Sequence, residues 1–277
     1  MSEPFSIRKY LRPIPLPFCP SCGGLTVMSE FLRAVHELGH ENLSNFVFCS
    51  GIGCSSWIPS PHFIADSVHT LHGRSIPVAT GIKLLRPDLN VVVFGGDGDI
   101  VGIGLSHFIH AARRNLDILV IMVNNMVYGM TGGQVAPTTP FKAKTTTTPY
   151  GSFEHPLDAA RLAVTAGASY VARWTTAHPN ELKESMKSAI EMKGFRFIEA
   201  VSQCPTAFGR RVGFKDAGEM LKWFKENAVQ IEQAEKLSEE DLAEKIVVGE
   251  FVQKQGPTLV ETIYKVIEEA QKEIEKD

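Results

Sequence analysis

Two polar clusters in the sequence each follow an apolar, β-branched run, where the end of a buried strand would place them. One run, Val91–Phe94, leads into GGDGD at residues 95–99, and another, Ile118–Val123, ends in Asn124–Asn125. Glycines let backbone N–H groups approach a phosphate closely, and a helix that begins after them adds its positive end. Because Asp97 would repel a bare phosphate, the pattern indicates a divalent cation such as Mg²⁺ between the two.

The spacing of Asp97 and Asn125 supports this interpretation, because one helix and one strand fit between them. The right-handed crossover rule then predicts two neighbouring parallel strands whose polar ends lie on the same edge of the sheet. A carboxylate and an amide oxygen at one edge can share one hard cation. Each motif alone is compatible with an ordinary turn, whereas the matched pair favours an ion site.

Five cysteines supply a second set of candidate ligands. Cys19 and Cys22 form CPSC in a proline-rich lead, Cys54 follows the first predicted strand, and Cys204 follows the last. The lead lacks the βαβ context of a thioredoxin-like redox pair. Four thiolates can hold zinc or an iron–sulfur cluster, and the sequence pattern leaves both open. Cys49, inside a strand pattern, is predicted to be a buried core thiol.

The composition is that of an ordinary globular protein. The 277 residues include 28 Lys and Arg, 31 Asp and Glu, and 44% apolar residues, which excludes a disordered chain. The net charge of −3 gives no basic footprint for nucleic acid. The N-terminal sequence has no long apolar stretch and the apolar runs are strand-sized, so neither a secretory signal nor a membrane helix is predicted. Five cysteines without a signal favour the cytoplasm.

Short apolar strands alternate with helical patterns over most of the chain. The predicted strands are Asn45–Cys49, Val91–Gly95, Ile118–Val123, Ser169–Arg173 and Arg196–Val201. The predicted helices are Leu25–Leu38, Pro77–Leu85, Ile100–Arg114, Leu157–Ala166 and Glu181–Met192. This alternation predicts an α/β fold with a doubly wound, mostly parallel sheet, which binds ligands at the carboxyl ends of its strands.

Two segments depart from this alternation. Gly129–Gly151 is rich in Gly, Thr and Pro and is too long for a simple connector, and loops of that length are functional or disordered. Beyond Pro205 the sequence becomes charged and helix-forming. We therefore predict an α/β domain at residues 1–205 and a helical C-terminal extension at 206–277 packed on it. The apolar face of the last helix could cover this domain or a partner subunit.

Five motifs, taken in order, resemble those of the β subunit of 2-oxoacid:ferredoxin oxidoreductases. They are FCPSCGG, GIGCSSWIPSP, HTLHGR, GGDGDIVGIG and NNMVYGMTGGQ, and the resemblance covers roughly Cys19 to Thr206. The resemblance implies a sheet of the thiamine diphosphate-binding type, with bound Mg²⁺ and one [4Fe–4S] cluster. It also implies oxidative decarboxylation of a 2-oxoacid with coenzyme A to acyl-CoA and CO₂, the electrons passing through the cluster to ferredoxin.

The same resemblance implies two sets of metal ligands. Two side chains and one backbone carbonyl would hold Mg²⁺: Asp97, Asn125 and Val127. Four thiolates would hold the cluster: Cys19, Cys22, Cys54 and Cys204. Ser21 departs from the pattern, since glycine is usual at this position of the CPxC turn.

The resemblance also implies contacts to thiamine diphosphate and to the reaction centre. His72 would lie near the cofactor ring and Arg74 near an anionic group, and both would be catalytic, although a loop histidine can also be purely structural. The cofactor-binding residues would be Ile52, Gly53, Cys54, Ser55, His72, Gly73, Gly96, Asp97, Gly98, Asp99, Asn125, Gly129 and Met130.

Substrate and partner are also implied by resemblance. Trp57 stands where some relatives carry a basic residue, and an aromatic residue there favours the 2-oxoglutarate branch over pyruvate or branched-chain 2-oxoacids. Thiamine enzymes need a glutamate from a second domain, which the single predicted sheet lacks, so a larger α subunit is implied. Two other interpretations stay open: a non-oxidative thiamine-dependent decarboxylase subunit, and a non-catalytic scaffold stabilised by zinc.

Overall fold

The structure of the chain, a computed structural model, describes residues 4–242 and 244–275. Its strands are β1 (Phe46–Ser50), β2 (Asp66–His69), β3 (Asn90–Gly96), β4 (Leu119–Asn124), β5 (Val127–Tyr128), β6 (Gln134–Val135), β7 (Tyr170–Thr175), β8 (Arg196–Val201), β9 (Ala228–Gln230) and β10 (Ile246–Gln253). Its α-helices are α1 (Gly23–Glu37), α2 (Ser75–Leu85), α3 (Leu105–Arg113), α4 (Ala159–Ala166), α5 (Pro179–Glu191), α6 (Arg210–Val212), α7 (Ala217–Asn227), α8 (Ile231–Ala234), α9 (Glu239–Leu242) and α10 (Leu259–Ile274).

One sheet of eight strands forms the centre of the molecule, in the order β2-β1-β3-β4-β8-β7-β10-β9. Neighbouring strands pair in parallel except for β10 and β7, which are antiparallel. A separate antiparallel ribbon joins β5 to β6. The predicted doubly wound, mostly parallel α/β fold is confirmed, and each predicted strand overlaps an observed one.

Alternate residues of the central strands face two hydrophobic cores on opposite sides of the sheet. In β3, Val92 and Phe94 belong to the core beneath α1 and α5. Val91 and Val93 belong to the core beneath α2, α3 and α4. Strands covered on both faces need apolar residues at every position, which is why their sequences show a continuous apolar run.

The segment after Pro205 contains two strands besides the helices predicted from its composition. It adds β10 and β9 to the edge of the main sheet, next to β7. These strands lie at an edge that is only partly covered, so they tolerate residues such as Glu250 and Gly249 that interrupt an apolar run. Strands β9 and β10 share one sheet with the strands before residue 205. The division into two domains at residue 205 stays a prediction.

Helix α10 begins with a capping box and ends as an exposed helix. The Thr258 side chain accepts a hydrogen bond from the backbone N–H of Glu261, and the Glu261 carboxylate accepts one from the backbone N–H of Thr258. The first turn packs on the domain through Val260, whereas Val266 and Ile274 are exposed. Among the residues that the structure describes, no helix is long and apolar enough to cross a membrane.

Candidate functional site

The carboxyl ends of β3 and β4 lie side by side, as the sequence predicts. Asp97, directly after β3, is only 1% exposed and accepts a hydrogen bond from the hydroxyl of Thr138 at 2.6 Å. Burial raises the pKa of Asp97 to about 7, although hydrogen bonds from Thr138 and from the backbone of Asp97, Gly98 and Asn125 lower it. A buried carboxylate is costly unless a positive charge compensates it, so this position fits a divalent cation.

The two asparagines at the carboxyl end of β4 have different surroundings. The buried Asn124 donates from its amide nitrogen to Glu199 at 2.7 Å and accepts the backbone N–H of Met126 at 3.1 Å. The partly exposed Asn125 accepts the backbone N–H of Val127 at 3.3 Å. Met126, which follows Asn125, has a φ of +67°, in the left-handed region. Asn124 therefore shapes the turn, and Asn125 is the one placed at the edge where it could reach an ion.

The GDG loop continues into a wide helical turn, Gly98–Ile103, that packs against Tyr128. Just after this turn, the backbone N–H of Gly104 donates to the carbonyl of Asp99, five residues earlier, at 3.1 Å. A Cβ at Gly98 would clash with the Tyr128 ring, and one at Gly102 would lie 2.6 Å from the Tyr128 hydroxyl. Glycine is therefore required for this close approach. The first N–H groups of the turn lie at the sheet edge, an arrangement suited to phosphate.

The carboxylate of Asp99 joins three segments of the chain. Its Oδ1 accepts hydrogen bonds from the backbone N–H of Gly73 at 2.7 Å, from that of Ile52 at 3.2 Å and from Nδ1 of His72 at 2.6 Å. Within the described part of the chain, its buried Oδ2 has no hydrogen-bond partner. Asp99 thus ties the GDG loop to the loop that leads to Cys54 and to the HTLHGR loop.

His72 and Arg74 are placed differently, although both lie in the HTLHGR motif. Because a carboxylate only accepts, the contact with Asp99 assigns the hydrogen of a neutral His72 ring to Nδ1 and leaves Nε2 as an acceptor. The His72 ring lies edge-on to Tyr128, with centroids 6.1 Å apart. Arg74 is exposed and donates to the carbonyl of Gly73 at 3.2 Å. The structure therefore brings His72, and not the Arg74 guanidinium, into contact with the GDG loop.

Two of the predicted cluster cysteines lie close to Asn125, a predicted ion ligand, around Gly129. A Cβ at Gly129 would lie 3.3 Å from Nδ2 of Asn125 and 3.8 Å from Sγ of both Cys54 and Cys204. The amide of Asn125 and these two thiols therefore surround one small region of the sheet edge. The predicted proximity of Cys54 and Cys204 is confirmed by this geometry.

The CPSC lead is fastened to the residues just before Cys204. The backbone N–H of Gly23 donates to the carbonyl of Gln203 at 3.1 Å, and the Gln203 side chain donates to the carbonyl of Ser21 at 3.2 Å. Ser21 has a φ of +60°, a left-handed conformation that glycine adopts more readily. The lead thereby folds back over the sheet edge and brings Cys22 towards the other thiols.

The thiols influence one another electrostatically. Burial, and after it the neighbouring Cys22, Cys204 and Cys19, together raise the pKa of Cys54 to about 12. Burial also raises the pKa of Cys22 and of Cys204, and in both cases Cys19 adds to the effect. Within 4–242 and 244–275, no three His, Cys, Asp or Glu side chains are grouped as a single metal ion would require. Four cysteines that share one environment are a donor set suited to an iron–sulfur cluster.

Cys49 lies apart from this group. It is fully buried in β1 and belongs to the core beneath α2 and α3, which confirms its prediction as a core thiol. Burial alone raises the pKa of Cys49 to about 12.

Trp57 lies on the short turn that follows Cys54. Its ring is edge-on to His62 and His69, with centroids 6.4 Å and 6.0 Å away. Trp57 therefore packs its ring against these two histidines.

Two residues of the site lie outside the set predicted from sequence. Thr138 lies in the Gly/Thr/Pro-rich loop whose length indicates function, but nothing in the loop distinguishes it from its neighbouring threonines. Glu199 is a charged residue in the middle of the apolar strand β8, and a buried charge requires a partner. That signal was available in the sequence, and it points to a polar contact across the sheet.

The fold and the sheet edge define a thiamine diphosphate enzyme domain. Residues 51–200 match the family model described as thiamine pyrophosphate enzyme, C-terminal TPP binding domain. The chain is 52% identical over 267 residues to the 2-oxoglutarate synthase subunit KorB of Methanocaldococcus jannaschii, covering 96% of this chain and 98% of that relative. It is 39% identical over 219 residues to the 2-oxoacid:ferredoxin oxidoreductase 2, subunit beta, of Aeropyrum pernix, covering 79% and 67%.

A solved structure agrees with these relatives. The 2-oxoglutarate:ferredoxin oxidoreductase from Magnetococcus marinus, solved with 2-oxoglutarate, coenzyme A and succinyl-CoA bound, superposes with a TM-score of 0.84 at 34% identity. The match covers 95% of this chain and 90% of that one. The chain belongs to the family of 2-oxoacid:ferredoxin oxidoreductase β subunits, and it is an oxidoreductase subunit with a thiamine diphosphate-binding domain.

Proposed function

We propose that this chain is the β subunit of an enzyme that converts 2-oxoglutarate and coenzyme A into succinyl-CoA and CO₂ and passes the electrons to ferredoxin. The observation that carries the proposal is the meeting of Asn125 with the thiols of Cys54 and Cys204 around Gly129. An ion and diphosphate site next to a thiol cluster allows electrons released at the cofactor to leave by a short path. The relatives named for 2-oxoglutarate support this substrate over pyruvate or branched-chain 2-oxoacids.

We propose that Asp97, Asn125 and the carbonyl of Val127 hold Mg²⁺, which in turn binds the diphosphate. The buried Asp97 carboxylate beside Asn125 supports this assignment. When bound, thiamine diphosphate supplies the nucleophile and the electron sink for decarboxylation of a 2-oxoacid. Further contacts are proposed for Ile52, Gly53, Cys54, Ser55, His72, Gly73, Gly96, Gly98, Asp99, Gly129 and Met130.

The [4Fe–4S] cluster is proposed to bind Cys19, Cys22, Cys54 and Cys204. Thiolates held together in a partly buried site are costly without a cationic group to compensate their charge, and iron supplies that charge. A cluster accepts electrons one at a time, whereas zinc has no redox role. Membership of an oxidoreductase family therefore favours the cluster over the zinc-stabilised scaffold and over a non-oxidative decarboxylase subunit.

A larger α subunit is proposed to complete the active site. Large apolar side chains are exposed around the candidate site, namely Ile52, Leu71, Ile103 and Met130. Apolar surface of this kind around a site marks a protein interface. Ferredoxin is proposed as the electron acceptor. A cytoplasmic location remains a proposal, supported by the five free cysteines.

Anaerobic purification of the chain together with its α subunit tests the proposed function. We expect about four iron atoms and four sulfides per β chain, bound thiamine diphosphate and Mg²⁺, and ferredoxin reduction that requires coenzyme A. Assays with 2-oxoglutarate, pyruvate and branched-chain 2-oxoacids should give the highest kcat/KM for 2-oxoglutarate. An active, iron-free complex would contradict the cluster, and a preference for pyruvate would contradict the substrate.

We expect His72 to act in catalysis through Nε2. Because Nδ1 makes the contact with Asp99 that holds the loop, the role of Nε2 can be tested separately from the loop structure. The variant His72→Asn keeps a donor where Nδ1 contacts Asp99 and removes Nε2. We expect kcat with 2-oxoglutarate to fall by about 100-fold, the usual contribution of a proton-transferring side chain, with thiamine diphosphate affinity unchanged. His69→Asn, in the same motif but exposed, is the matched control and should retain normal turnover. Normal kcat in His72→Asn would show that the loop is structural.

A further inference from the structure

The hydroxyl of Thr138 lies between two oxygen atoms that both accept hydrogen bonds. It is 2.6 Å from Oδ2 of Asp97 and 2.9 Å from Oδ1 of Asn124, and Thr138 is buried. A threonine hydroxyl carries a single hydrogen and can donate to one acceptor at a time. The charged Asp97 oxygen is the nearer and the stronger acceptor, so Thr138 holds one oxygen of this carboxylate.

The orientation of Asn124 is determined by its other contacts. Its amide nitrogen donates to Oε1 of Glu199 at 2.7 Å, and its amide oxygen accepts the backbone N–H of Met126 at 3.1 Å. The reverse orientation would set the amide oxygen against the Glu199 carboxylate and the amide nitrogen against an N–H group. The amide oxygen therefore faces Thr138.

Glu199 is itself held by a buried ion pair. Its Oε2 accepts a hydrogen bond from Nε of Arg173 at 2.7 Å, and Arg173 also donates to Asp158, the residue that caps α4. Burial alone would lower the pKa of Arg173, but Glu199 and Asp158 more than offset this and raise it. Asn124 is thus anchored to a charge-balanced pair on β7 and β8, a rigid support for the turn that carries Asn125.

Asp97 has no comparable support from a basic side chain. Among the described residues no ion pair is found for it, and its other hydrogen bonds come from backbone N–H groups. Thr138 is therefore a side chain that holds the Asp97 carboxylate by a hydrogen bond, and its hydroxyl oxygen also lies against Oδ1 of the anchored Asn124. This hydrogen bond engages Oδ2 of Asp97 at the carboxyl end of β3, beside the end of β4.

We propose that Thr138 is a positioning residue for the Mg²⁺ site. Its hydroxyl sets the orientation of Asp97 and its separation from the Asn124–Asn125 turn, so that two ligands from different strands are held ready for one ion. Preorganised ligands bind a metal more tightly because less order must be imposed on binding. The inference rests on the proposed function, since it takes Asp97 and Asn125 as ligands.

The test compares Thr138→Val, which removes the hydroxyl at nearly constant shape, with Thr138→Ser, which retains it. The αβ complex is titrated with Mg²⁺ at a fixed concentration of thiamine diphosphate, and binding is followed by calorimetry. A lost hydrogen bond to a charged group predicts a half-saturating Mg²⁺ concentration raised about tenfold or more in Thr138→Val. Thr138→Ser should stay within about twofold of the unaltered complex, because its hydroxyl can still donate. KM for coenzyme A should not change.

Thr139→Val is the matched control. Thr139 is equally buried in the same turn, but its hydroxyl donates to the carbonyl of Met126 at 2.5 Å and has no contact with Asp97. This variant should lower the melting temperature without raising the Mg²⁺ requirement. If Thr138→Val does not fold, Thr138→Ala is measured and interpreted in the same way.

Three outcomes would overturn the proposal. An unchanged Mg²⁺ requirement in Thr138→Val would exclude a positioning role, and an equal shift in Thr139→Val would show a general packing effect. Failure of Thr138→Ser to restore binding would exclude the hydroxyl as the cause. Absence of Mg²⁺-dependent cofactor binding in the unaltered complex would instead overturn the proposed ion site itself, which distinguishes the two failures.

Discussion

Replacement of Cys54 by serine is expected to abolish iron binding and ferredoxin reduction while thiamine diphosphate still binds. Sγ of Cys54 lies near Asn125 around Gly129, so loss of this thiolate removes a proposed cluster ligand beside the proposed cofactor site. Serine is a poor ligand for iron but nearly preserves the shape of the loop. In the Cys54→Ser αβ complex, iron analysis and the electron paramagnetic resonance of the reduced protein should show no [4Fe–4S] signal. Calorimetry should show cofactor affinity close to normal.

Cys49→Ser is the matched control for this experiment. Cys49 is fully buried in the core, so a hydroxyl there should cost about 1 kcal/mol or somewhat more in the free energy of unfolding. Iron content should be unchanged. Iron retained in Cys54→Ser but lost in Cys49→Ser would show that the proposed ligand set is wrong.

The central strands can be predicted from sequence because their physical environment is uniform. Each is buried on both faces, so Val91–Phe94 or Ile118–Val123 has to be apolar at every position. The strands β2, β9 and β10 lie at or near the edges of the sheet, and β2 is largely exposed. Their polar residues are tolerated by solvent, so no apolar run or strict alternation reveals them.

A residue of the site can be predicted from sequence only where the residues next to it in the chain reveal its position. Asp97 and Asn125 are recognisable because each ends a buried strand, and the crossover rule brings the two strands together. Thr138 acquires its role from contacts with Asp97 and Asn124, which lie far from it in the sequence. Glu199 is likewise defined by contacts made across the sheet.

Asp99 shows how a correct motif can conceal a second role. The GDGD motif predicts that Asp99 lies in the diphosphate-binding loop, and we still propose that its backbone lies there. Its carboxylate, however, accepts hydrogen bonds from Ile52, His72 and Gly73. These partners come from loops whose approach depends on the packing of β1, β2 and α2. No periodicity within the motif could reveal them.

Asp97→Asn is expected to weaken cofactor binding without lowering the stability of the unliganded protein. The side chain keeps its shape and loses its charge, so Mg²⁺-dependent affinity for thiamine diphosphate should fall by about 100-fold or more, since even outer partners of a metal site contribute tenfold or more. Yet Asp97 is a buried carboxylate without a basic partner among the described residues, so its charge costs free energy when no cation is bound. The neutral variant should therefore melt at the same or a higher temperature without ligand.

The measurement is a pair of melting curves for each αβ complex, with and without Mg²⁺ and thiamine diphosphate, together with calorimetry. A ligand that binds only the folded state raises the melting temperature in proportion to its binding free energy. The unaltered complex should gain stability on addition of the ligands, and Asp97→Asn should gain almost none. Asp88→Asn, a change at an exposed carboxylate paired with Arg86, should behave like the unaltered complex. Undiminished cofactor affinity in Asp97→Asn at limiting Mg²⁺ would refute Asp97 as the ligand, because a neutral amide cannot replace a carboxylate in compensating the charge of the ion.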